Sequence, residues 1–361
     1  MQNNQAIPFN KENFKLIFSK KFAVVIIISI PSAIVAEFFN VPLAWFLGPM
    51  LITSLASLMG LKIVMPKLVL SSILILLGLY IGNYIDKNLF SQIHQWAWTS
   101  LIMMIYIIIS VLVVSKYLQL FSKYEKKTSI FSAAPGALGP LMILAEDEKT
   151  DLSQVATSHL IRLIIIITVF PFIVNSFYDV EPVKIVKELI VDQKITDLLL
   201  LIISSIILII LFDRLRIPAA LLSGTLFASG FLQISEIASY QLSPNIIDYC
   251  LLILGASVGC RFADKTFKEI ARNALHSFVA TFLLVVLGVI AALAAGLIID
   301  KNFFTLLLSY CPGGIYEVAV IAIAFDLEPD FVAFHHIIRL LFILFIVPVA
   351  IRLIEKTKLK N

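Results

Sequence analysis

Long runs of apolar residues constrain this sequence more than any other feature. Twelve such runs follow one another with mostly short polar gaps, and each is close to the roughly 17–25 residues that a helix needs to cross a bilayer core of about 30 Å. Hydrophobic residues make up 60% of the chain and charged residues 14%, whereas water-soluble proteins average roughly 45–50% and 25%. We therefore predict an all-α, polytopic membrane protein.

The predicted segments leave little of the chain outside the membrane. They cover approximately residues 22–39, 43–60, 68–85, 99–120, 129–146, 155–177, 196–212, 218–235, 246–262, 276–299, 303–325 and 332–354. A polar N-terminal lead (1–19), a polar linker (179–195) and a basic C-terminal tail (355–361) are each too short to form a core. The lead has no small-residue cleavage site, so we expect the first helix to be retained.

An internal repeat relates the two halves of the chain. Residues 135–171 align without gaps with residues 312–348, at an offset of 177. Shared hydrophobicity does not explain the match, because it extends to proline, glycine, histidine and arginine. Pro135-Gly136 aligns with Pro312-Gly313, His159 with His336, Arg162 with Arg339, and Pro171 with Pro348. We predict two homologous units of six segments each, residues 20–178 and 196–354.

The basic loops indicate how the two units are oriented, because lysine and arginine concentrate on the cytoplasmic side of membrane proteins. If all twelve segments cross, 18 of the 26 basic residues other than Arg162 and Arg339 face inward. If the fifth segment of each unit instead enters and leaves on the same side, 21 of these basic residues face inward. The second arrangement makes the units inverted. We predict this inverted arrangement. We also predict that the protein lies in the cytoplasmic (inner) membrane and that both termini are cytoplasmic.

The fifth segment of each unit is interrupted, by SAAPG at 132–136 and by SYCPGG at 309–314. Proline removes an internal helix hydrogen bond and glycine weakens the turn. We predict a broken or re-entrant helix at Pro135-Gly136 and at Pro312-Gly313-Gly314. Such backbone persists at membrane depth only inside protein or beside a wet cavity, and paired interrupted helices in inverted repeats are typical of secondary transporters.

Each interrupted segment is followed by a His-x-x-Arg pair, His159 with Arg162 and His336 with Arg339. Residues three apart share a helix face, and charges inside spanning segments usually face the bundle interior or a cavity. The arginines are candidates for binding an anion or a buried carboxylate; alternatively, they cap helices or snorkel at the interface. The histidines are candidates for a proton relay; alternatively, they hydrogen-bond a carbonyl of the broken helix.

Glu317 is a carboxylate within an apolar segment, directly after the second break, and its repeat partner is Pro140. The two units are therefore not equivalent at this position. Glu317 either binds H⁺ or Na⁺, or neutralises Arg339 or Arg162 in an ion pair. The helix N-termini that follow the breaks favour an anionic group nearby, which favours an anionic substrate.

The remaining polar and small residues suggest packing and topology rather than chemistry. Two Gly-x-x-x-Gly pairs are predicted to allow close helix packing: Gly78, Gly82, Gly255 and Gly259. The three cysteines lack metal-ligand spacing, and the acidic clusters at 146–148 and 326–330 suggest solvated loops, with a divalent-cation site as the less favoured alternative. We predict no metal, no cofactor and no nucleic-acid partner. The expected partners are lipid and a small-molecule or ion substrate, with a homo-oligomer left open.

Several short motifs resemble those of the AbrB-type membrane protein family. They are Gly-Pro-Met at 48–50, Ala-Pro-Gly at 134–136, Cys-Pro-Gly-Gly at 311–314 and the His/Arg helices that follow. The resemblance covers nearly the whole chain and implies a duplicated membrane unit. Members of that family are labelled as regulators of gene expression, from an association with aidB, or as ammonia monooxygenases. A monooxygenase needs a metal or redox cofactor, for which the sequence has no motif.

The sequence therefore favours a gradient-driven secondary transporter of a small metabolite over the two alternatives. No Walker-type motif for ATP is present. The first alternative is a membrane protein that acts indirectly on gene expression, because direct control would need a soluble reader domain. The second is a membrane-embedded enzyme, which we favour least. In the transporter interpretation Arg162 and Arg339 bind or balance charge, and Glu317 takes the coupling cation.

Overall fold

Helices account for nearly all of the described backbone. The computed structural model describes residues 11–85, 89–136, 138–177, 194–238, 242, 245–263 and 265–358, and it contains no β-strand within these ranges. The helices are α1 Lys11–Ile17, α2 Lys20–Phe38, α3 Ala44–Leu58, α4 Lys67–Gly82, α5 Leu89–Phe121, α6 Lys126–Ala133, α7 Leu138–Asp147, α8 Leu152–Phe177, α9 Ile195–Arg214, α10 Ala220–Ser235, α11 Asn245–Cys260, α12 Phe267–Gly296, α13 Phe303–Tyr310, α14 Ile315–Ala324 and α15 Pro329–Lys358. Most of the linker 179–195 lies outside the described residues.

Ten of the twelve predicted segments each correspond to one helix. The other two, 129–146 and 303–325, are each divided into two short helices, α6 with α7 and α13 with α14. The prediction of an interruption in these two segments is confirmed. The short helix α1 lies within the polar N-terminal lead, where no helix was predicted.

Within the described part of the chain, six helices are long and apolar enough to cross a membrane. They are formed by Lys20–Phe38, His94–Phe121, Leu152–Phe177, Ile195–Arg214, Phe267–Gly296 and Pro329–Leu353. Large apolar side chains line their outer faces: Ile203 and Ile207 of α9, and Phe278 and Phe282 of α12, are each more than half exposed. Since these pairs are spaced four residues apart, they form continuous apolar stripes. This is the surface of a multi-pass membrane protein.

The chain divides into two compact units, and each takes helices from both halves of the sequence. The first unit contains residues 1–91, 171–266 and 319–330, and the second contains residues 92–170, 267–318 and 331–361. The first unit therefore holds helices α1–α4 and α9–α11. The second holds the first interrupted segment, the second interrupted segment as far as Val318, and the His-x-x-Arg pairs.

Glycines hold the helices of the first unit close together. A methyl group at Gly82 would lie 2.7 Å from the carbonyl oxygen of Leu226 on α10, and one at Gly259 would lie 2.8 Å from that of Met50 on α3. Gly78 and Gly255, one turn earlier, are tighter still: an added methyl group would lie even closer to the nearest carbonyl oxygen of α10 and of α3. Each Gly-x-x-x-Gly pair thus packs against the main chain of a helix from the other half of the sequence.

The second unit has a core that includes the first interrupted segment. Ala133, at the end of α6, is fully buried with Val114 and Leu118 of α5 and with Ala280 and Leu284 of α12. Close packing of this kind leaves side chains little freedom. The break that follows Ala133 is consequently held inside protein, as irregular backbone at membrane depth requires.

Candidate functional site

The two helix breaks are produced by proline in the same way. The residue before a proline is disfavoured in the helical conformation and adopts an extended one. Ala134, before Pro135, has ψ 125°, and Cys311, before Pro312, has ψ 130°. α6 therefore ends at Ala133 and α13 at Tyr310, and each segment resumes as a helix only after the glycines.

The first interrupted segment folds back on itself as a helical hairpin. Lys127 at the start of α6 and Glu148, just after α7, form an ion pair with 2.5 Å between Nζ and Oε2. The amide of Asp151 donates to Thr128 Oγ1 at 3.3 Å. A continuous helix would separate residues 127 and 148 by about 30 Å. The two ends of this segment instead lie side by side.

The second interrupted segment closes in the same manner. Lys301, before α13, places its Nζ 5.0 Å from the centre of the Phe331 ring, which follows α14 at the start of α15. A straight helix of that length would keep these residues about 45 Å apart. The segment 303–325 is therefore a second helical hairpin, with its Pro-Gly break at the tip.

The first His-x-x-Arg pair binds the carbonyl groups where α6 ends. His159 Nε2 donates to the carbonyl of Phe131 at 2.9 Å. Arg162 donates through Nη1 to Ala134 O at 2.7 Å and through Nη2 to Ser132 O. The last carbonyls of a helix have no partner within the helix, so this pair satisfies those of α6. Arg162 is 2% exposed.

The second pair makes the matching contacts at the end of α13. His336 Nε2 donates to Leu308 O at 3.0 Å. Arg339, fully buried, donates through Nη1 to Cys311 O and through Nη2 to Gly313 O at 2.6 Å. Both arginines lie inside protein at a helix C-terminus, where a cation is favourable. They do not snorkel to an exposed interface.

His336 is held in one tautomer by two neighbours. Its Nε2 lies against the Leu308 carbonyl, which can only accept, and its Nδ1 lies 2.9 Å from Arg339 Nη2, which can only donate. Nδ1 must therefore carry a lone pair while Nε2 carries the proton. In this arrangement the imidazole is neutral, hydrogen-bonds a carbonyl of the broken helix and positions the guanidinium.

The first hairpin tip contacts Arg339, which caps the second hairpin. Gly136 has φ +97°, a conformation that glycine adopts readily, and a methyl group there would lie 3.0 Å from Arg339 Nη2. At the second tip, a methyl group at Gly313 would lie 3.6 Å from Ile166 of α8. Each tip therefore packs against the helix that follows the other hairpin, which brings the two breaks together.

Glu317 lies in the first turn of α14, behind the second break, and is 1% exposed. Its carboxylate folds back over Gly314, because a methyl group at Gly314 would overlap Oε2. Glu317 is the third residue of α14. A carboxylate that reaches back over the first turn is favourable, because the N-terminus of a helix has free N–H groups and a partial positive charge. Glu317 is also close in the chain to Gly313, whose carbonyl binds Arg339.

A second buried polar cluster, around His335, is absent from the sequence predictions. His335 Nδ1 donates to Phe331 O at 2.9 Å, and its Nε2 lies 2.8 Å from Thr99 Oγ1. Tyr310 Oη donates to the carbonyl of Thr99 at 2.7 Å. Comparison of the two repeats does not identify His335, because the residue aligned with it in the first repeat is Ser158. The adjacent His335-His336 pair is the signal that identifies it.

Metal binding receives no support from the described part of the chain. No group of three or more histidine, cysteine, aspartate or glutamate side chains has the arrangement of a metal site within those residues. The chemistry available at the breaks is that of two guanidinium groups, one carboxylate and main-chain carbonyls.

Taken together, six apolar spanning helices and two buried helical hairpins define a multi-pass helical membrane protein. A family model described as "Transition state regulatory protein AbrB" matches residues 45–355. The chain belongs to this AbrB family.

Two curated relatives show how far the similarity extends. "Uncharacterized protein YhjN" of Bacillus subtilis (strain 168) is 22% identical over 298 residues, which cover 78% of this chain and 77% of the relative. "Putative regulator AbrB" of Escherichia coli (strain K12) is 21% identical over 320 residues, which cover 88% and 91%. No solved structure matches the chain significantly.

Proposed function

We propose that this protein is a gradient-driven secondary transporter of a small metabolite in the cytoplasmic membrane. The observation that carries the proposal is the pair of buried helical hairpins whose broken tips are capped by Arg162 and Arg339. Helices interrupted at membrane depth expose main-chain groups and helix ends that bind substrates and coupling ions in transporters. Such breaks are tolerated at membrane depth only where they are buried in protein or line a water-filled cavity.

The proposal includes a duplicated and inverted architecture. Residues other than glycine rarely have positive φ, yet such residues recur here at the repeat offsets of 176 and 177. The pairs are Asn40 with Arg216, Leu43 with Ala219, and Lys149 with Asp326. The hairpins support the inversion: if neither crosses the bilayer and the other five segments of each half do, each half makes an odd number of crossings. The second half then begins on the opposite side.

Within this proposal the two halves have different roles. Arg162 and Arg339 bind or balance charge in both halves, whereas Glu317 has Pro140 as its partner and occurs only in the second half. A buried carboxylate is a suitable group for H⁺ or Na⁺. We assign Glu317 to the coupling cation.

The names of the family and of one relative favour a second candidate, a role in the regulation of gene expression. A transporter that changes the internal concentration of a metabolite would alter expression indirectly. Transport and regulation are then compatible. A soluble partner protein that docks on the basic loops would instead favour a direct regulatory role.

Flux measurements in proteoliposomes test transport. We expect uptake of at least one compound from a metabolite panel, stimulated by an imposed H⁺ or Na⁺ gradient. Glu317→Gln should abolish the stimulation, because the amide cannot bind either cation by charge. Glu146→Gln, a matched change at an exposed carboxylate, should behave as the wild type. Absence of flux across the panel contradicts transport, and an unchanged gradient response in Glu317→Gln contradicts the assignment of Glu317.

A further inference from the structure

Two positive charges are buried close together at the hairpin tips. Arg162 is 2% exposed and Arg339 is fully buried. Arg162 donates to the carbonyl of Ala134, and Arg339 lies against Gly136, two residues further along the chain. Their hydrogen bonds go to main-chain carbonyls and, for Arg339, also to His336. These partners are formally neutral. A buried charge is strongly unfavourable unless an opposite charge compensates it.

One donor of each guanidinium remains available. A guanidinium has five N–H donors, and the contacts with the helix ends use only the Nη atoms. Nε of Arg162 and Nε of Arg339 are both buried and have no hydrogen-bond partner among the described residues. Buried donors are rarely left unpaired in native proteins, so each such group requires an explanation. Because the same donor, Nε, is unpaired on both arginines, an acceptor from outside the described residues is expected.

The helix ends at the breaks add to this positive environment. α7 starts at Leu138 and α14 at Ile315, directly after the two breaks. Helix N-termini favour negative charge. The arginines already bind carbonyls at the C-terminal ends of α6 and α13, so the helix N-termini and the Nε atoms are the donors that remain for a ligand.

Gly136 places main chain, and no side chain, beside the Arg339 guanidinium. Its φ of +97° and the 3.0 Å that would separate an added methyl group from Nη2 both disfavour a larger residue. With Gly136 at the tip of one hairpin and Arg339 capping the other, no side chain from position 136 stands between the tip and the guanidinium.

We infer that the transported compound is a small oxyanion, of the carboxylate or phosphate class, that accepts hydrogen bonds from Nε of Arg162 and Nε of Arg339. This inference rests on the proposed function and specifies its substrate class. Hydrogen bonds between guanidinium and an oxyanion are short and strong because both partners are charged. The two arginines carry two positive charges and Glu317 at most one negative charge, so an anion compensates the excess.

Ligand-dependent thermal stability of the complete, purified chain in maltoside micelles tests the inference. The probes are acetate, succinate and inorganic phosphate at constant ionic strength, with acetamide as the neutral analogue of acetate. We expect a saturable rise of the unfolding midpoint with at least one oxyanion and none with acetamide. Equal stabilisation by acetamide, or no saturable effect of any oxyanion, would overturn the inference. Stabilisation by added phosphatidylglycerol alone would also overturn it, by identifying a lipid headgroup instead.

Charge-conserving variants locate the bound anion. Arg162→Lys and Arg339→Lys keep the charge but lose the Nε donor, and each should raise the half-saturating concentration at least roughly tenfold, the effect of losing a hydrogen bond to a charged group. Arg214→Lys, at an exposed position, is the matched control. Wild-type affinity in both lysine variants contradicts the inference. If these variants do not fold, the comparison of oxyanions with acetamide still decides it.

The flux assay separates the two proposals. Gradient-driven flux of a neutral or cationic compound, without oxyanion binding, would refute the oxyanion as substrate and support the proposal of a transporter. Oxyanion binding without flux of any bound compound retains the site and refutes transport.

Discussion

Replacement of Arg339 by alanine should lower the free energy of unfolding by about 2–6 kcal/mol, because leaving each of two buried carbonyls unpaired costs about 1–3 kcal/mol. The variant leaves the carbonyls of Cys311 and Gly313 without their donor. It also removes the group that fixes the tautomer of His336. Within a bilayer no water replaces the lost partners, so the second hairpin should lose its tip geometry.

The midpoint of thermal unfolding in detergent and the yield of monodisperse protein measure this effect. Arg162→Ala should have a similar effect, because Arg162 caps α6 as Arg339 caps α13. Arg214→Ala, at the exposed end of α9, is the control and should change stability little. Wild-type stability of Arg339→Ala would show that the guanidinium does not hold the break.

Gly255→Ala should destabilise the first unit through direct overlap with the main chain. The added methyl group would overlap the carbonyl oxygen of Phe46 and lie 3.0 Å from its carbonyl carbon. Overpacking in a close-packed interior costs about 1–3 kcal/mol. The upper end is expected here, because main chain cannot change rotamer to make room and α11 must move away from α3.

Gly296→Ala is the matched control within a helix. A methyl group at Gly296 would meet only Leu306 Cδ1, at 3.5 Å. Since alanine is preferred over glycine in helices by about 0.5–1 kcal/mol, Gly296→Ala should be neutral or slightly stabilising. The unfolding midpoints of the two variants provide the comparison. Equal midpoints would contradict the close approach of α11 to α3.

Local patterns in the sequence predicted the helices and the breaks because their causes are local. Apolar runs of spanning length and Pro-Gly interruptions act within a few residues. The faces of the Gly-x-x-x-Gly pairs were also predictable. Their partners were not: Gly78 packs against α10 and Gly255 against α3, and spacing within one helix identifies a face without identifying the helix that covers it.

The candidate site was predicted in part, for the same reason. The repeat identified the His-x-x-Arg pairs as special, but their carbonyl partners lie 26–30 residues earlier in the chain. Those contacts depend on the closure of each hairpin, which no local pattern specifies. The cluster of His335 with Thr99 joins residues 236 positions apart, and pairing at that distance follows only from the fold.

The most direct test of this account is to determine on which side of the membrane the two ends of each hairpin lie. Single cysteines at the exposed positions Glu125, Glu146, Asp300 and Asp326, in a chain with its three native cysteines replaced, can be labelled in intact cells with an impermeant maleimide. We predict that positions 125 and 146 share the cytoplasmic side and that 300 and 326 share the opposite side. Labelling of 146 and 326 on one side, with 125 and 300 on the other, would mean that both segments cross and would contradict the account.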